Sequence, residues 1–137
     1  YEVLRRLAET ARRLQMPVDF DLLGFSAEDG PLLDAGVHVH GRYDDAQAEA
    51  RIAEIAPDLV LLPSTWPETY CYTLSTALRT GRPVVVFDLG AQARRVRAGA
   101  PAGSRVLPLA LADRPEALLQ ELMAVNLHAA TPERLVA

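Results

Sequence analysis

The sequence predicts an α/β fold built on a doubly wound, Rossmann-like parallel sheet, and three observations support this prediction. Leu59–Leu62 is an unbroken apolar run without polar alternation, which is typical of a strand buried on both faces of a parallel sheet. Val84–Phe87 is a second run of the same kind. The segments around these runs have helical periodicity, so strands alternate with helices along the chain.

Composition and charge narrow the class of protein. The chain of 137 residues is long enough for one domain with a sizeable core, spanning residues 1–137, and 50% of it is hydrophobic. No apolar run approaches the ~20 residues that span a bilayer, and the start lacks the features of a signal peptide, so the expected location is the cytoplasm. The net charge of −4 argues against nucleic acid as a partner.

Arginine and cysteine usage excludes several kinds of chemistry. All 14 basic residues are arginine, so neither a Schiff-base lysine nor a phosphate-loop lysine is available. The single cysteine, Cys71, excludes an internal disulfide framework and a zinc site built from several cysteines. This usage agrees with a reducing compartment.

The first half of the chain is predicted to hold two strands and two longer helices. Val18–Leu22 alternates apolar residues with Asp19 and Asp21, which predicts a strand that is more exposed on one face. The other elements follow from apolar stripes and breaking residues: a helix over residues 3–14 that ends before Pro17, a helical turn at residues 32–33, a short strand at residues 37–40, and a helix capped by Asp44 or Asp45 that runs to Ala56.

The second half is predicted to continue the alternation. The helix after Leu59–Leu62 turns Leu74, Ala77 and Leu78 inward, and it ends at Gly81, which readily adopts a left-handed conformation. The later elements are a helix at Gly90–Ala98 with Arg94, Arg95 and Arg97 near its end, an edge strand at residues 105–109 because Pro108 cannot donate to a ladder, a helix capped by Asp113, and a further helix that begins at Thr131, Pro132 and Glu133.

The order of these elements lacks one strand. The chain opens inside a helix, whereas a Rossmann-type half opens with the strand that becomes central in the order 3-2-1-4-5-6. The sequence therefore predicts a sheet without its first strand, which would precede Tyr1.

The loop at residues 63–72 is the expected ligand site, because open α/β sheets bind ligands at this loop position. It holds the only Trp, the only Cys and two of the four Tyr of the chain. The segment PSTWPETY at residues 63–70, with GRPVVVFDLGA at residues 81–91, resembles the C-terminal, donor-binding domain of retaining glycosyltransferases of the GT-B fold. The order and spacing of the elements over residues 1–127 resemble that domain too. The resemblance implies that the chain is one half of a GT-B fold.

The resemblance also implies roles for particular residues. In that family a glutamate after the proline-serine pair contacts hydroxyls of the donor sugar, and Glu68 stands there as the candidate catalytic and sugar-binding residue. A carboxylate can accept two sugar hydroxyl hydrogen bonds at once. The amides at a helix N-terminus would hold the donor diphosphate, which implicates Tyr70, Cys71, Tyr72 and Thr73. The loop after residues 37–40 meets the nucleobase in relatives, which implicates Arg42 and Tyr43.

Two positions depart from the family pattern. Thr76 stands where relatives carry a second glutamate that commonly binds the ribose, and Cys71 stands where relatives often carry glycine. The resemblance implies a nucleotide-diphosphate sugar as substrate, no metal and no separate cofactor. It implies an upstream acceptor-binding Rossmann domain of the same protein as partner, and it allows peripheral membrane association of the full-length enzyme only.

Simpler interpretations stay open for several residues. Trp66 and Tyr70 can be loop residues that cover the sheet edge, and Cys71 can be a small, partly buried residue rather than a nucleophile. His38 and His40 share one face of a strand without an evident third metal ligand, so surface histidines are expected. Asp88 can face a ligand or cap the next helix. The arginines at positions 94, 95 and 97 can meet a phosphate or an acidic partner, although a solvated helix end is expected.

Two functions from different classes follow from the sequence. The first is the donor half of a retaining glycosyltransferase that transfers a sugar to a glycan or lipid-linked acceptor. The second is a non-catalytic α/β module, derived from such a domain, that binds a nucleotide or a protein. Glu68 with its loop favours the first, whereas Thr76 favours the second.

Overall fold

The computed structural model describes residues 1–125 and 133–137, in which six parallel strands form one sheet flanked by helices. The strands are β1 (Val18–Leu22), β2 (Val37–Val39), β3 (Leu59–Leu62), β4 (Val84–Phe87), β5 (Arg105–Leu107) and β6 (Glu133–Val136). The helices are α1 (Glu2–Arg13), α2 (Gly30–Asp34), α3 (Ala48–Ile55), α4 (Tyr72–Arg79), α5 (Gly90–Ala98) and α6 (Pro115–Val125). Short 3-10 turns lie at Asp45–Gln47 and Leu109–Asp113. The predicted Rossmann-like α/β fold is confirmed.

The strand order is β2-β1-β6-β3-β4-β5. This order matches the Rossmann order 3-2-1-4-5-6, with β6 in the position of the strand that the sequence was expected to lack. β6 pairs with β1 on one side, where Phe20 lies opposite Leu135, and with β3 on the other, where Leu59 lies opposite Leu135. In the described residues this central position is occupied by β6, a strand from the end of the sequence.

The segment predicted to begin a last helix is instead part of this strand. Glu133 is the first residue of β6, and Leu135, which is 3% exposed, is part of the core beneath α1. Helical capping residues misled the prediction because a short segment takes its conformation from the sheet that receives it. Thr131 and Pro132 lie outside the described residues.

Helices cover both faces of the sheet, as the continuous burial along the central strands requires. On β3, Leu59 and Leu61 point to the core shared with α1, α2 and α6, whereas Val60 and Leu62 point to the core shared with α3, α4 and α5. All four residues of β3 and all four of β4 are buried. The continuous apolar runs in the sequence arise from this two-sided burial.

The strand predicted to expose one face, β1, is an internal strand. Asp21 is only 3% exposed, and Asp19 is half-buried. β1 lies between β2 and β6, and Arg51, Glu54 and Ile55 of α3 border a cavity that also contains Asp21. Polar alternation suggested solvent, but α3 covers the polar face of this strand.

Most element boundaries agree with those predicted from the sequence, but β5 is shorter than predicted and Asp113 does not cap a helix. Gly81 follows α4 with φ +73, the left-handed conformation that was predicted. The edge strand β5 ends at Leu107, immediately before Pro108. Asp113 does not cap α6, because it belongs to the preceding 3-10 turn and its carboxylate lies 3.7 Å from Arg6. Within the described residues, no helix combines the length and apolarity needed to cross a membrane.

Candidate functional site

A cleft of about 330 Å³ opens at the carboxyl ends of β1, β3 and β6. Leu23 follows β1, Leu62 ends β3, and Ala137 follows β6, and all three border the cleft. In the strand order, this is where the chain reverses direction across the sheet, the position at which open α/β sheets bind ligands. α3 and α4 form the side walls.

Four of the residues implicated from the sequence meet in this cleft. Tyr43 comes from the loop after β2, whereas Tyr72, Thr73 and Thr76 come from α4. Two segments that are separated in the sequence thus line one cavity. The remaining implicated residues, Arg42, Glu68, Tyr70 and Cys71, do not line it.

Thr76 belongs to a group of three polar side chains that joins α4 to α3 on the wall of the cleft. The Arg79 guanidinium donates from Nη2 to the Thr76 Oγ1 at 3.3 Å, and it also pairs with the carboxylate of Glu49 on α3. Arg79 lines the cleft as well. Thr76 therefore presents a neutral hydroxyl next to an arginine that is paired with a carboxylate of α3.

The loop at residues 63–72 is held against the start of α5. The Ala91 amide donates to the Glu68 carbonyl at 3.1 Å. Gly90 has φ +58, and a β-carbon there would lie 3.0 Å from the Glu68 carbonyl oxygen and 3.1 Å from its nitrogen. Only glycine fits this close approach without displacing the backbone that carries Glu68.

Arg95 connects α5 to the first turn of α4, and the sequence prediction missed it. Its Nη1 donates to the Cys71 carbonyl at 2.7 Å, and its Nη2 donates to the Ser75 Oγ at 2.7 Å. The guanidinium carbon lies 4.5 Å from the centre of the Tyr70 ring. The expectation of a solvated arginine cluster fits the exposed Arg94 but is wrong for Arg95, which is half-buried.

A signal for Arg95 was present in the helical phase of α5. Arg95 follows the buried Ala91 by four residues, so both lie on the face that contacts the loop before α4. Because Arg94, Arg95 and Arg97 lie so close together in the sequence, the prediction treated them alike, although Arg94 is exposed and Arg95 is half-buried.

Tyr70 and Tyr72 form an aromatic pair beside this cluster. Their ring centroids are 4.8 Å apart in an edge-to-face arrangement, and the Tyr70 hydroxyl lies 3.3 Å from the Ser75 Oγ. Trp66 is 78% exposed and covers no part of the sheet. The interpretation of Trp66 as a covering residue is therefore wrong, whereas Tyr70 has specific partners.

Cys71 is the residue immediately before α4, and it is 4% exposed. Burial raises the pKa of the thiol above its ordinary value, and the nearby Glu68 carboxylate raises it further. The Leu74 amide and the charge of Arg95 act in the opposite direction on this pKa without overcoming burial. A protonated, buried thiol is a packing residue and a poor nucleophile.

Arg42 lies in a neighbouring groove rather than in the cleft. Its guanidinium carbon is 4.0 Å from the centre of the Phe25 ring. Gly24 and Gly41 form an isolated bridge that ties the loops after β1 and β2 together. Tyr43 borders both this groove and the cleft, so it is the member of the implicated pair that reaches the cleft.

Asp88 and the two histidines have identified neighbours. Arg97 donates to Asp88 from Nη1 at 2.9 Å, and this hydrogen bond holds the pKa of Asp88 below its ordinary value. Asp88 does not cap α5, because Leu89 occupies that position. His38 is exposed, whereas the His40 Nε2 lies 2.8 Å from the Asp21 carboxylate. In residues 1–125 and 133–137 no group of three potential metal ligands is present.

Comparison with known proteins found no matching family model, no matching curated protein and no matching solved structure.

Proposed function

We propose that the chain is the donor-binding half of a retaining glycosyltransferase. The observation that carries this proposal is the cleft, which gathers Tyr43 with Tyr72, Thr73 and Thr76 where open α/β sheets bind ligands. The ring of Tyr43, from the loop after β2, suits a nucleobase. The N-terminus of α4 suits a diphosphate. The substrate is a nucleotide-diphosphate sugar, and no metal is required by this proposal.

The first turn of α4 supplies the anion-binding groups of the proposed site. The amides at the start of an α-helix have no partners within the helix, and the positive end of its dipole attracts anions. Arg95 adds a positive charge beside this turn, through its contacts with Cys71 and Ser75. This arrangement provides for a diphosphate in a chain that has no lysine.

Glu68 has the role of binding the sugar in this proposal. It is half-buried, and its backbone is fixed by Ala91 and by the close approach of Gly90. The Glu68 carboxylate is close enough to Cys71, the residue before α4, to raise the pKa of its thiol, which supports a position near the expected diphosphate. The acceptor and the rest of the reaction centre belong to a partner Rossmann domain, so the 137-residue chain alone is expected to transfer no sugar.

An NMR titration of the isotope-labelled chain with UDP, GDP and ADP tests the proposal. The amides of Tyr72 and Thr73 should shift first and the amide of Tyr43 with them, because these residues line the cleft. Tyr43→Ala should weaken binding, whereas Tyr1→Ala, which removes a tyrosine outside the cleft, should not. Absence of shifts at millimolar nucleotide, or shifts confined to residues outside the cleft, would overturn the proposal.

One observation favours a second candidate, a non-catalytic nucleotide-binding module. Thr76 and Arg79, with Glu49, occupy the wall where a glycosyltransferase of this type is expected to have a second glutamate. The two candidates differ in their response to the sugar. A transferase domain should bind one nucleotide sugar more tightly than its free nucleoside diphosphate, and Glu68→Gln should abolish that difference. A binding module should show no such preference.

A further inference from the structure

The side chains that line the cleft include charges of both signs, and Asp45 supplies the negative one. Asp45 borders the cleft near Tyr43, at the start of the 3-10 turn that leads into α3. Among the described residues that line the cleft, it contributes the one carboxylate, and Arg79 contributes the one positive charge. Glu49 pairs with Arg79, whereas Asp45 forms no ion pair among the described residues, although Arg42 borders the adjoining groove with it.

The neighbouring acidic residues have local partners that Asp45 does not have. The Asp44 side chain accepts a hydrogen bond from the Ala46 amide and caps the 3-10 turn. Glu49 pairs with Arg79. Within the part of the chain that the structure describes, no side-chain hydrogen bond or ion pair engages the exposed Asp45 carboxylate. Asp45 is therefore available to accept hydrogen bonds from a ligand.

We propose that Asp45 binds the vicinal hydroxyls of the ribose and thereby fixes the direction in which a nucleotide lies in the cleft. This inference rests on the proposed function. An ionised carboxylate has two acceptor oxygens and can take one hydrogen bond from each of two adjacent hydroxyls. The same negative charge repels phosphate, so the phosphates lie away from Asp45.

The first turn of α4 attracts the phosphate that Asp45 repels. Tyr72 and Thr73, at the start of α4, also line the cleft, and the amides at a helix N-terminus have no partners within the helix. A nucleotide that places its diphosphate there has its ribose between α4 and Asp45 and its base beside Tyr43. Thr76, whose hydroxyl already accepts from Arg79, need not bind the ribose.

Calorimetry with the 137-residue chain tests the role of Asp45. The probes are UDP, GDP and ADP, the 2′,3′-dideoxy form of whichever binds most tightly, and inorganic pyrophosphate. Asp45→Asn should weaken the ribonucleotide about tenfold, the loss expected for a hydrogen bond to a charged group. It should leave the dideoxy nucleotide unchanged, and it should leave pyrophosphate unchanged or bound more tightly because a repelling charge is removed.

Asp44→Asn is the matched control, because asparagine also caps a helical turn and the residue adjoins Asp45. Its affinities for all probes should equal those of the wild type, and thermal melting should show that both variants are folded. A ribonucleotide affinity that Asp45→Asn leaves unchanged overturns the inference and leaves the proposed function standing. Equal weakening of ribonucleotide and pyrophosphate also overturns it, since Asp45 would then act on the fold. Failure of the wild type to bind any nucleotide overturns the proposed function and this inference together.

Discussion

The Arg95 guanidinium donates a hydrogen bond from Nη1 to the Cys71 carbonyl at 2.7 Å, so α5 is fastened to the first turn of α4. The same guanidinium holds Ser75 and lies against the Tyr70 ring. One side chain thus fixes the end of the loop at residues 63–72 and the helix terminus that follows it. The order of this region depends on a residue more than twenty positions further along the chain.

The first prediction concerns this arginine. Arg95→Gln should lower the free energy of unfolding by about 1–2 kcal/mol, because it removes two hydrogen bonds and a cation–π contact at a half-buried position. Urea unfolding measures the change. Arg94→Gln removes an exposed arginine from the same helix and should change stability by no more than about 0.5 kcal/mol. Equal effects of the two substitutions would show that the contacts of Arg95 contribute nothing.

The second prediction concerns the close approach at Gly90. Gly90→Ala should destabilise the fold by more than the ~1–2 kcal/mol that a left-handed conformation typically costs an L-residue, because its β-carbon would also meet the Glu68 backbone. Gly81→Ala is the control, since Gly81 has φ +73 but no atom within 4 Å of the added carbon. Denaturant unfolding of both variants separates backbone strain from steric contact. A smaller loss for Gly90→Ala than for Gly81→Ala would contradict this account.

The third prediction concerns pH and Cys71. Burial raises the pKa of the thiol in the folded chain, so above pH about 9 the unfolded chain loses this proton while the folded chain keeps it. Stability from this group is fully present below the pKa of the unfolded chain and is lost as pH rises through the folded pKa. Unfolding curves between neutral and alkaline pH should show this loss in the wild type. Cys71→Ala should show a shallower decline, and an identical decline would contradict the prediction.

The fourth prediction concerns the central strand. Leu135 is 3% exposed and lies opposite both Phe20 and Leu59 in the sheet. Leu135→Ala should lower the free energy of unfolding by about 2–5 kcal/mol, as for other leucines truncated in a core. Leu33→Ala, at an exposed position on α2, should have little effect. A mild effect at Leu135 would show that β6 does not occupy the centre of the sheet in solution.

The candidate site was predictable from the sequence only in part. Tyr43, Tyr72, Thr73 and Thr76 line one cleft because the ends of parallel strands meet at one edge of a sheet, which strand alternation already implies. Asp45 was expected only as a helix cap, and no role was expected for Arg79 in the cleft. Their places depend on how α3 packs beside α4, which no local pattern specifies.

The sequence by itself determined the fold class and every longer element except β6. Continuous apolar runs at β3 and β4, amphipathic stripes, and breaking residues such as Gly81 and Pro108 act over a few positions, so they can be interpreted without knowing the neighbours in space. The expected exposure of Asp21 failed because burial depends on which helix covers a strand, and α3 covers β1 from a distant part of the sequence.

Only the tertiary structure decided which strand lies at the centre and which side chains secure the site. β6 is the last strand in the sequence, yet it joins β1 to β3, since Leu135 and Val136 are buried when the strand pairs on both sides in a sheet that is covered on both faces. Arg95 reaches Cys71 because the first turn of α4 and α5 lie side by side on the sheet. Pairing and side-chain contacts of this kind join distant residues, and their free energy depends on the assembled fold rather than on any one segment.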